Sequence, residues 1–255
     1  MEANMRSTFS LLVLAVTALS MAGCGFVIDL PSMEPRIEGS GNIISEAREV
    51  SSFTDIMLSG AGDLTITQGE GHALTVRTDD NLMAYVKTEV VGNTLVINLT
   101  DEARFKNLQP TQGWNYAITV EDLEDLAIAG AGTITSDSLQ GNELTISISG
   151  SGDVRLLDLS IEDLNVIISG MGEVEMVGEA AQQRYTISGA GDIDAGDLQG
   201  EDVDVAIQGT GNVTVWATEF LQVVIAGSGE VGYYGSPEVT QTILGLGGIS
   251  GMGQK

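Results

Sequence analysis

The sequence predicts an all-β protein, most of it a single-stranded β-helix (β-solenoid) of about 20 residues per coil, with a less regular β-rich N-terminal half. Three observations predict it. The first is a recurring Gly-X-Gly followed by a polar and then an aliphatic residue. Its copies begin at Gly130, Gly150, Gly170, Gly189, Gly209, Gly227 and Gly245, at intervals of 20, 20, 19, 20, 18 and 18 residues. The second glycines are Gly132, Gly152, Gly172, Gly191, Gly211, Gly229 and Gly247. Two earlier copies, Gly39-Ser40-Gly41 and Gly60-Ala61-Gly62, lie 21 residues apart. The second observation is alternation at period two: Leu144, Ile146 and Ile148 on one face, Thr145 and Ser147 on the other. The third is composition. With 33 glycines against 4 prolines and 43% hydrophobic residues, the chain reads as ordered strands with tight corners, and 5% aromatics implies an aliphatic core.

In chain order, residues 1–23 read as a lipoprotein signal peptide. Arg6 supplies the positive region, and Phe9 to Leu19 is uncharged, apolar and too short to span a bilayer. Met21-Ala22-Gly23-Cys24 resembles the bacterial lipobox, which makes Cys24, the single cysteine, a lipidation site. The membrane is therefore an expected partner, reached through lipidated Cys24. Gly25 follows it rather than Asp, so inner-membrane retention is not signalled. The expected location is the cell envelope, at the outer membrane. Residues 24–36, with Pro31 and Pro35, read as a tether.

Residues 37–120 form the irregular N-terminal half. Val86 to Ile97 reads as a hairpin turning at Gly92-Asn93, Asp79 to Ala84 as a short helical turn, and Lys106 to Trp114 as a loop around Pro110. Tyr116, Ile118 and Val120 then resume a strand, and the whole half is expected to cap the solenoid's N-terminal edge. Residues 121–251 are the solenoid repeats. Glycine is needed at each corner for positive φ or for close approach to the coil above.

The Ser59-Gly60-Ala61-Gly62-Asp63-Leu64 motif, the Asp80-Asn81-Leu82 segment and the hairpin resemble the head GIN domain family. So do the later Ser-Gly-X-Gly-Asp/Glu repeats and the closing Gly232-Tyr233-Tyr234-Gly235-Ser236-Pro237. The resemblance covers about residues 50–251. It implies a β-helical fold, a bacterial envelope location and an adhesin role, with no catalytic residues to carry over.

Charge narrows the partners. The net charge is −26, and from Glu121 to Thr240 there are 22 acidic residues against Arg155 and Arg184. Such a surface repels phosphate backbones, which argues against nucleic acid. Gly227-Ser228-Gly229-Glu230-Val231-Gly232 fits a dinucleotide fingerprint in letters, but it is one copy of the repeat and opens no helix, so no nucleotide is expected. No cofactor is expected either.

The residue after the second glycine gives a ladder that includes Asp153, Glu173 and Asp192. Stacked carboxylates about 5 Å apart repel, which makes them weak calcium candidates. The plainer expectation is that they cap backbone amides at the corner. His72 is the lone histidine and sits in a turn, so a Ser-His-Asp triad is not expected. The expected function is a lipid-anchored envelope module that binds a glycan or an envelope protein, without catalysis. The alternative is a carbohydrate-active hydrolase or lyase using paired acids such as Asp192 and Asp194. Trp114, Tyr116, Trp216, Phe220, Tyr233 and Tyr234 are the aromatics available for recognition or for the core.

Overall fold

The computed structural model describes residues 36–103 and 106–255. The expected signal peptide, Cys24 and all but the last residue of the expected tether lie outside them. Nine strands precede the regular repeats: β1 (Ile37–Glu38), β2 (Ile43–Arg48), β3 (Asp55–Leu58), β4 (Asp63–Gln68), β5 (Ala73–Asp79), β6 (Val86–Val91), β7 (Thr94–Leu99), β8 (Leu108–Gln109) and β9 (Asn115–Val120). A 3-10 turn at Met83–Tyr85 stands close to where the short helical turn was expected. Then come β10 (Asp125–Ile128), β11 (Ala131–Ser136), β12 (Leu139–Ile148), β13 (Ser151–Ile168), β14 (Met171–Ile187), β15 (Ala190–Ile207), β16 (Val213–Ile225), β17 (Ser228–Tyr234), β18 (Glu238–Ile243) and β19 (Leu246–Gly253).

The fold is the predicted β-solenoid, and β13 shows how one coil is made. Alternating burial runs through Val154 and Leu156, slips at Leu157-Asp158, resumes at Leu159 and Ile161, slips again, and resumes at Leu164, Val166 and Ile168. Each slip is a corner, because two successive residues face outwards there. One coil thus has three sides: 151–156, 159–161 and 163–168. Its inward aliphatics stack on those of β12 at an unbroken offset of 20 residues, from Leu139 on Leu159 to Ile148 on Ile168.

Shorter coils are absorbed at corners. The 19-residue interval appears as a register shift between Leu156 and Leu159 against β14, and Gly178, with φ +130°, takes the place below Leu159. A Cβ there would sit 2.2 Å from the Leu159 carbonyl oxygen. The room left by Gly178 and Ala180 is used from the opposite side, where Gln183 and Tyr185 replace the aliphatics of neighbouring coils. Both are buried, and their polar atoms are satisfied internally: Tyr185 donates to Gln183 Oε1 at 2.8 Å, and Gln183 Nε2 donates to the Ala180 carbonyl at 3.1 Å. The 18-residue coil loses its residues between Val215 and Phe220 in the same way.

The glycine pairs form two columns along one corner. A Cβ on Gly150 would lie 2.0 Å from the Gly130 carbonyl oxygen, and one on Gly170 2.0 Å from that of Gly150. The same closeness holds at Gly189, Gly209, Gly227 and Gly245, and in the second column at Gly132, Gly152, Gly172, Gly191, Gly211, Gly229 and Gly247. Within these columns φ is positive only at Gly62 and Gly211, so close approach of backbones is the dominant requirement. The same carbonyls accept hydrogen bonds from the residue between the glycines, as in Ser151 N to Gly130 O at 2.9 Å and Met171 N to Gly150 O at 2.9 Å.

The lapse in the repeat between Gly60 and Gly130 is an excursion, after which the chain returns to the same stack. β3 pairs in parallel with β10 and β4 with β11, both at an offset of 70 residues, and a Cβ on Gly130 would lie 1.7 Å from the Gly60 carbonyl oxygen. Gln68 stitches the return: its Nε2 donates to the carbonyls of Glu121 and Gln140, and its Oε1 accepts from Gln140 N.

On their other edges β3 pairs with β7 and β4 with β9, still in parallel. Beyond that the direction reverses: β6 on β7, β5 on β9 and β2 on β5 are all antiparallel. Phe53, Leu82, Met83, Trp114 and Tyr116 fill the core beneath. The earliest Gly-X-Gly copy stands outside the glycine columns. Gly39-Ser40-Gly41 instead wraps Asp79, whose buried carboxylate accepts from Gly41 N at 2.8 Å, Thr111 N at 2.7 Å and Thr111 Oγ1 at 2.7 Å. Burial works to raise this carboxyl's pKa, but the hydrogen bonds from Thr111 and Gly41 outweigh it and hold the value below 3.8. Next to it, Asp80 accepts from Ser40 Oγ and Asn42 Nδ2.

Candidate functional site: a polar groove on one side of the solenoid

The third side of each coil carries outward residues in straight columns. In one column Glu143, Asp163, Gln182, Asp202, Phe220 and Glu238 follow one another, and beside it run Thr145, Asn165, Arg184, Asp204, Gln222 and Thr240. Period-two alternation puts these side chains outside, and parallel in-register stacking brings each about 4.8 Å from the next. Between them lies a cleft of ≈ 290 Å³, lined by residues from Glu143 to Asp204. It adjoins a second of ≈ 320 Å³ that shares Gln182, Asp202 and Asp204 and adds Phe220 and Glu238. Arg184 is the only base lining the two, and it pairs with Asp204 at 3.6 Å. Phe220 is 52% exposed, a large aromatic left in water beside carboxylates and amides.

Chemically this is a row of acceptors (the carboxylates) interleaved with donor–acceptor amides (Gln182, Asn165, Gln222), with an aromatic face at Phe220 one coil before the row ends at Glu238. Such a set hydrogen-bonds repeated hydroxyls and stacks on a flat apolar ring face. The sequence reading missed these residues, although the signal was present: Glu143, Asp163, Gln182, Asp202, Phe220 and Glu238 are spaced 20, 19, 20, 18 and 18, tracking the glycines. That register was applied only to the residue after the second glycine.

The acidic ladder lies elsewhere, at the glycine corner. Glu173 stands opposite Asp192, and Asp153 Oδ1 accepts from Glu173 N at 3.0 Å. Asp192 Oδ1 accepts from Asn212 N at 2.7 Å, and Asn212 Oδ1 from Glu230 N at 3.1 Å. Asp153, Asp192 and Asn212 each reach one coil along and satisfy a corner amide, an arrangement that Asn212 serves as well as Asp192. Among the described residues no three His, Cys, Asp or Glu side chains gather as a metal-binding group. Asp192 and Asp194 share an outer face, Asp194 accepting from Gly196 N at 3.1 Å, and neither lines the groove.

The remaining candidates are accounted for by packing. His72 Nε2 lies 3.0 Å from the Phe53 carbonyl, its ring edge-on to Phe53. Trp114 and Tyr116 are core residues, and burial pushes the Tyr116 hydroxyl far up its scale. Tyr233 packs against the core with its hydroxyl over Gly251. Trp216 and Tyr234 stack on successive coils, with the Lys255 ammonium 5.8 Å and 4.8 Å from their ring centres.

A glycine-cornered β-solenoid with an acceptor-rich groove along one side places the chain among the all-β solenoid proteins. Residues 52–237 match the family described as "Putative auto-transporter adhesin, head GIN domain", and the chain belongs to that family. Among solved structures it resembles a "putative adhesin" from Bacteroides fragilis NCTC 9343, at 27% identity and TM-score 0.79, over 85% of this chain and 100% of that one. It also resembles a "Putative lipid binding protein" from Parabacteroides distasonis ATCC 8503, at 26% identity and TM-score 0.70, over 86% and 100%. A "putative adhesin" from that organism, at 22% identity and TM-score 0.63, over 86% and 100%, shares the fold. No curated protein matches the sequence.

Proposed function

We propose that this chain is an exported bacterial lipoprotein, held at the outer membrane through Cys24, whose solenoid presents the groove on its third side to a glycan. It acts as an adhesin-type binding module and not as an enzyme. The observation that carries the reading is the groove itself: carboxylates and amides repeated at the coil spacing, with Phe220 exposed among them. Repeated hydroxyls of a polysaccharide meet repeated acceptors, and the aromatic supplies a stacking face. The adhesin descriptions of the family and of its solved relatives support a binding role.

The test is a glycan array probed with the full chain and with the groove variants Phe220→Ala and Asp202→Asn/Asp204→Asn. We expect selective binding by the parent chain and at least about a tenfold loss in each variant, the size of one lost stacking or charged contact. Undiminished binding by both variants, or no glycan bound, would sink the groove reading. In bacterial cells that express the chain, Cys24→Ser should move it out of the membrane fraction.

A further inference from the structure

The two ends of the solenoid are finished differently, and one is left open. Among the described residues β18 pairs only with β16, and β19 only with β17, so the last described coil offers a free strand edge. All six residues of β18 are exposed. Val239, Gln241 and Ile243 continue the inward columns of Leu221, Val223 and Ile225, and no further coil among the described residues covers them. Val239 is 37%, Ile243 40%, and Leu244 and Leu246 each 78% exposed. Soluble β-proteins ordinarily protect such an edge with charge, proline or a bulge. Here Val239 to Gly253 contains no charged residue and no proline, in a chain whose net charge is −26.

We infer that this edge is a homodimer interface: β18 of one copy pairs antiparallel with β18 of a second copy about a two-fold axis through Gln241. Three features select a second copy. The strand is self-complementary under that operation, since Val239 then faces Ile243 and Thr240 faces Thr242, placing apolar on apolar and hydroxyl on hydroxyl. The opposite end runs antiparallel through β2, β5 and β6, so it cannot continue the parallel, in-register stack that head-to-tail addition needs, and the contact closes as a dimer. Two strongly acidic chains also repel over most of their surfaces, and this coil, whose one charge is Glu238 at the start of β18, is where they meet without juxtaposed carboxylates. The residual long-range repulsion makes association stronger at higher ionic strength.

The inference does not depend on the groove's ligand. Its test is the full chain carrying Gln241→Cys, oxidised in the envelope of intact cells and run without reducing agent. A residue on the axis meets its own copy at about 4.5–5.5 Å between Cα atoms, within disulfide reach. The expected result is a disulfide-linked band of twice the chain mass, at least about tenfold more abundant than with Thr145→Cys in the groove or with the native chain. Equal cross-linking at both positions, or none at 241, overturns the interface. An adduct of any other mass overturns the second-copy assignment. Sedimentation of the detergent-solubilised native chain should show a dimer whose fraction rises with salt, and a monomer at all salt concentrations would equally overturn it.

Discussion

The repeating coils and the N-terminal cap belong to one hydrogen-bonded sheet but are stabilised by different means. In the coils, backbone meets backbone: glycine carbonyls lie where a Cβ would have to be, and corner amides bond directly to them. In the cap, side chains take over, with Asp79, Asp80 and Asn81 holding Ser40 to Asn42 through hydrogen bonds that no neighbouring coil could supply. The coils therefore tolerate exchange of side chains but not added volume at the corner. The cap tolerates added volume in places but not loss of particular acceptors.

The harshest way to break this contrast is Gly170→Val. Its Cβ would fall 2.0 Å from the Gly150 carbonyl oxygen in the middle of the stack, with backbone on both sides and no room to yield. We expect a loss above about 3 kcal/mol, read as a denaturant midpoint, with a molten or insoluble product as the extreme outcome. A variant that melts like the parent would mean that the coils are not in backbone contact at this corner.

Asp79→Asn probes the cap, with a smaller effect of about 2 kcal/mol, because an amide cannot accept from three donors as a carboxylate does. Hydrogen exchange should quicken first in β2 and around Thr111, while the coils from β12 onwards keep their protection. Since the Asp79 pKa is held below 3.8 in the fold, its stabilisation is fully present above that value and is lost as pH falls through the lowered one. The gap between parent and variant should therefore narrow in acid.

The gentlest test lies at the seam between the two regions, where Asp55 and Asp125 stand opposite each other on adjacent strands. Burial first, then the charges of Asp55, Glu143 and Glu124, raise the Asp125 carboxyl above 3.8. Its ionised form thus opposes folding at neutral pH, and that cost is absent below 3.8. Asp125→Asn should stabilise by about a few tenths of a kcal/mol at pH 7, less in high salt and not at all in acid, because the group is mostly solvated. A destabilised variant at neutral pH would show that the carboxylate has a favourable partner.

What was legible in the sequence follows the same division. The coils could be read because each inward residue obeys a local period and each corner repeats its glycines. Leu144, Ile146 and Ile148 announced both strand and face before any partner was known. The cap was legible only where its contacts are local, as in the Gly92-Asn93 hairpin. Its defining contacts join residues such as Gly41 and Asp79, or Asp79 and Thr111, far apart in sequence and without a repeat to align them. Gly39-Ser40-Gly41 shows the hazard, since its letters match the repeat while its backbone does something else. The groove was hidden for the opposite reason. Its residues obey the period fully, but they differ chemically from coil to coil, so a search for identical letters passes over Asp163, Gln182 and Phe220 as unrelated positions.

The stacking of Gly130 directly on Gly60 carries a last consequence. The solenoid counts rungs, not residues: 70 residues can leave the stack and return to the next rung in register. Gain or loss of a whole coil between the ends would move them together or apart by about 4.8 Å while leaving every corner contact of the same kind. The molecule is in that sense a ruler graduated in glycines, on which evolution can adjust the length of the stack and of its groove in equal steps without redesigning either end.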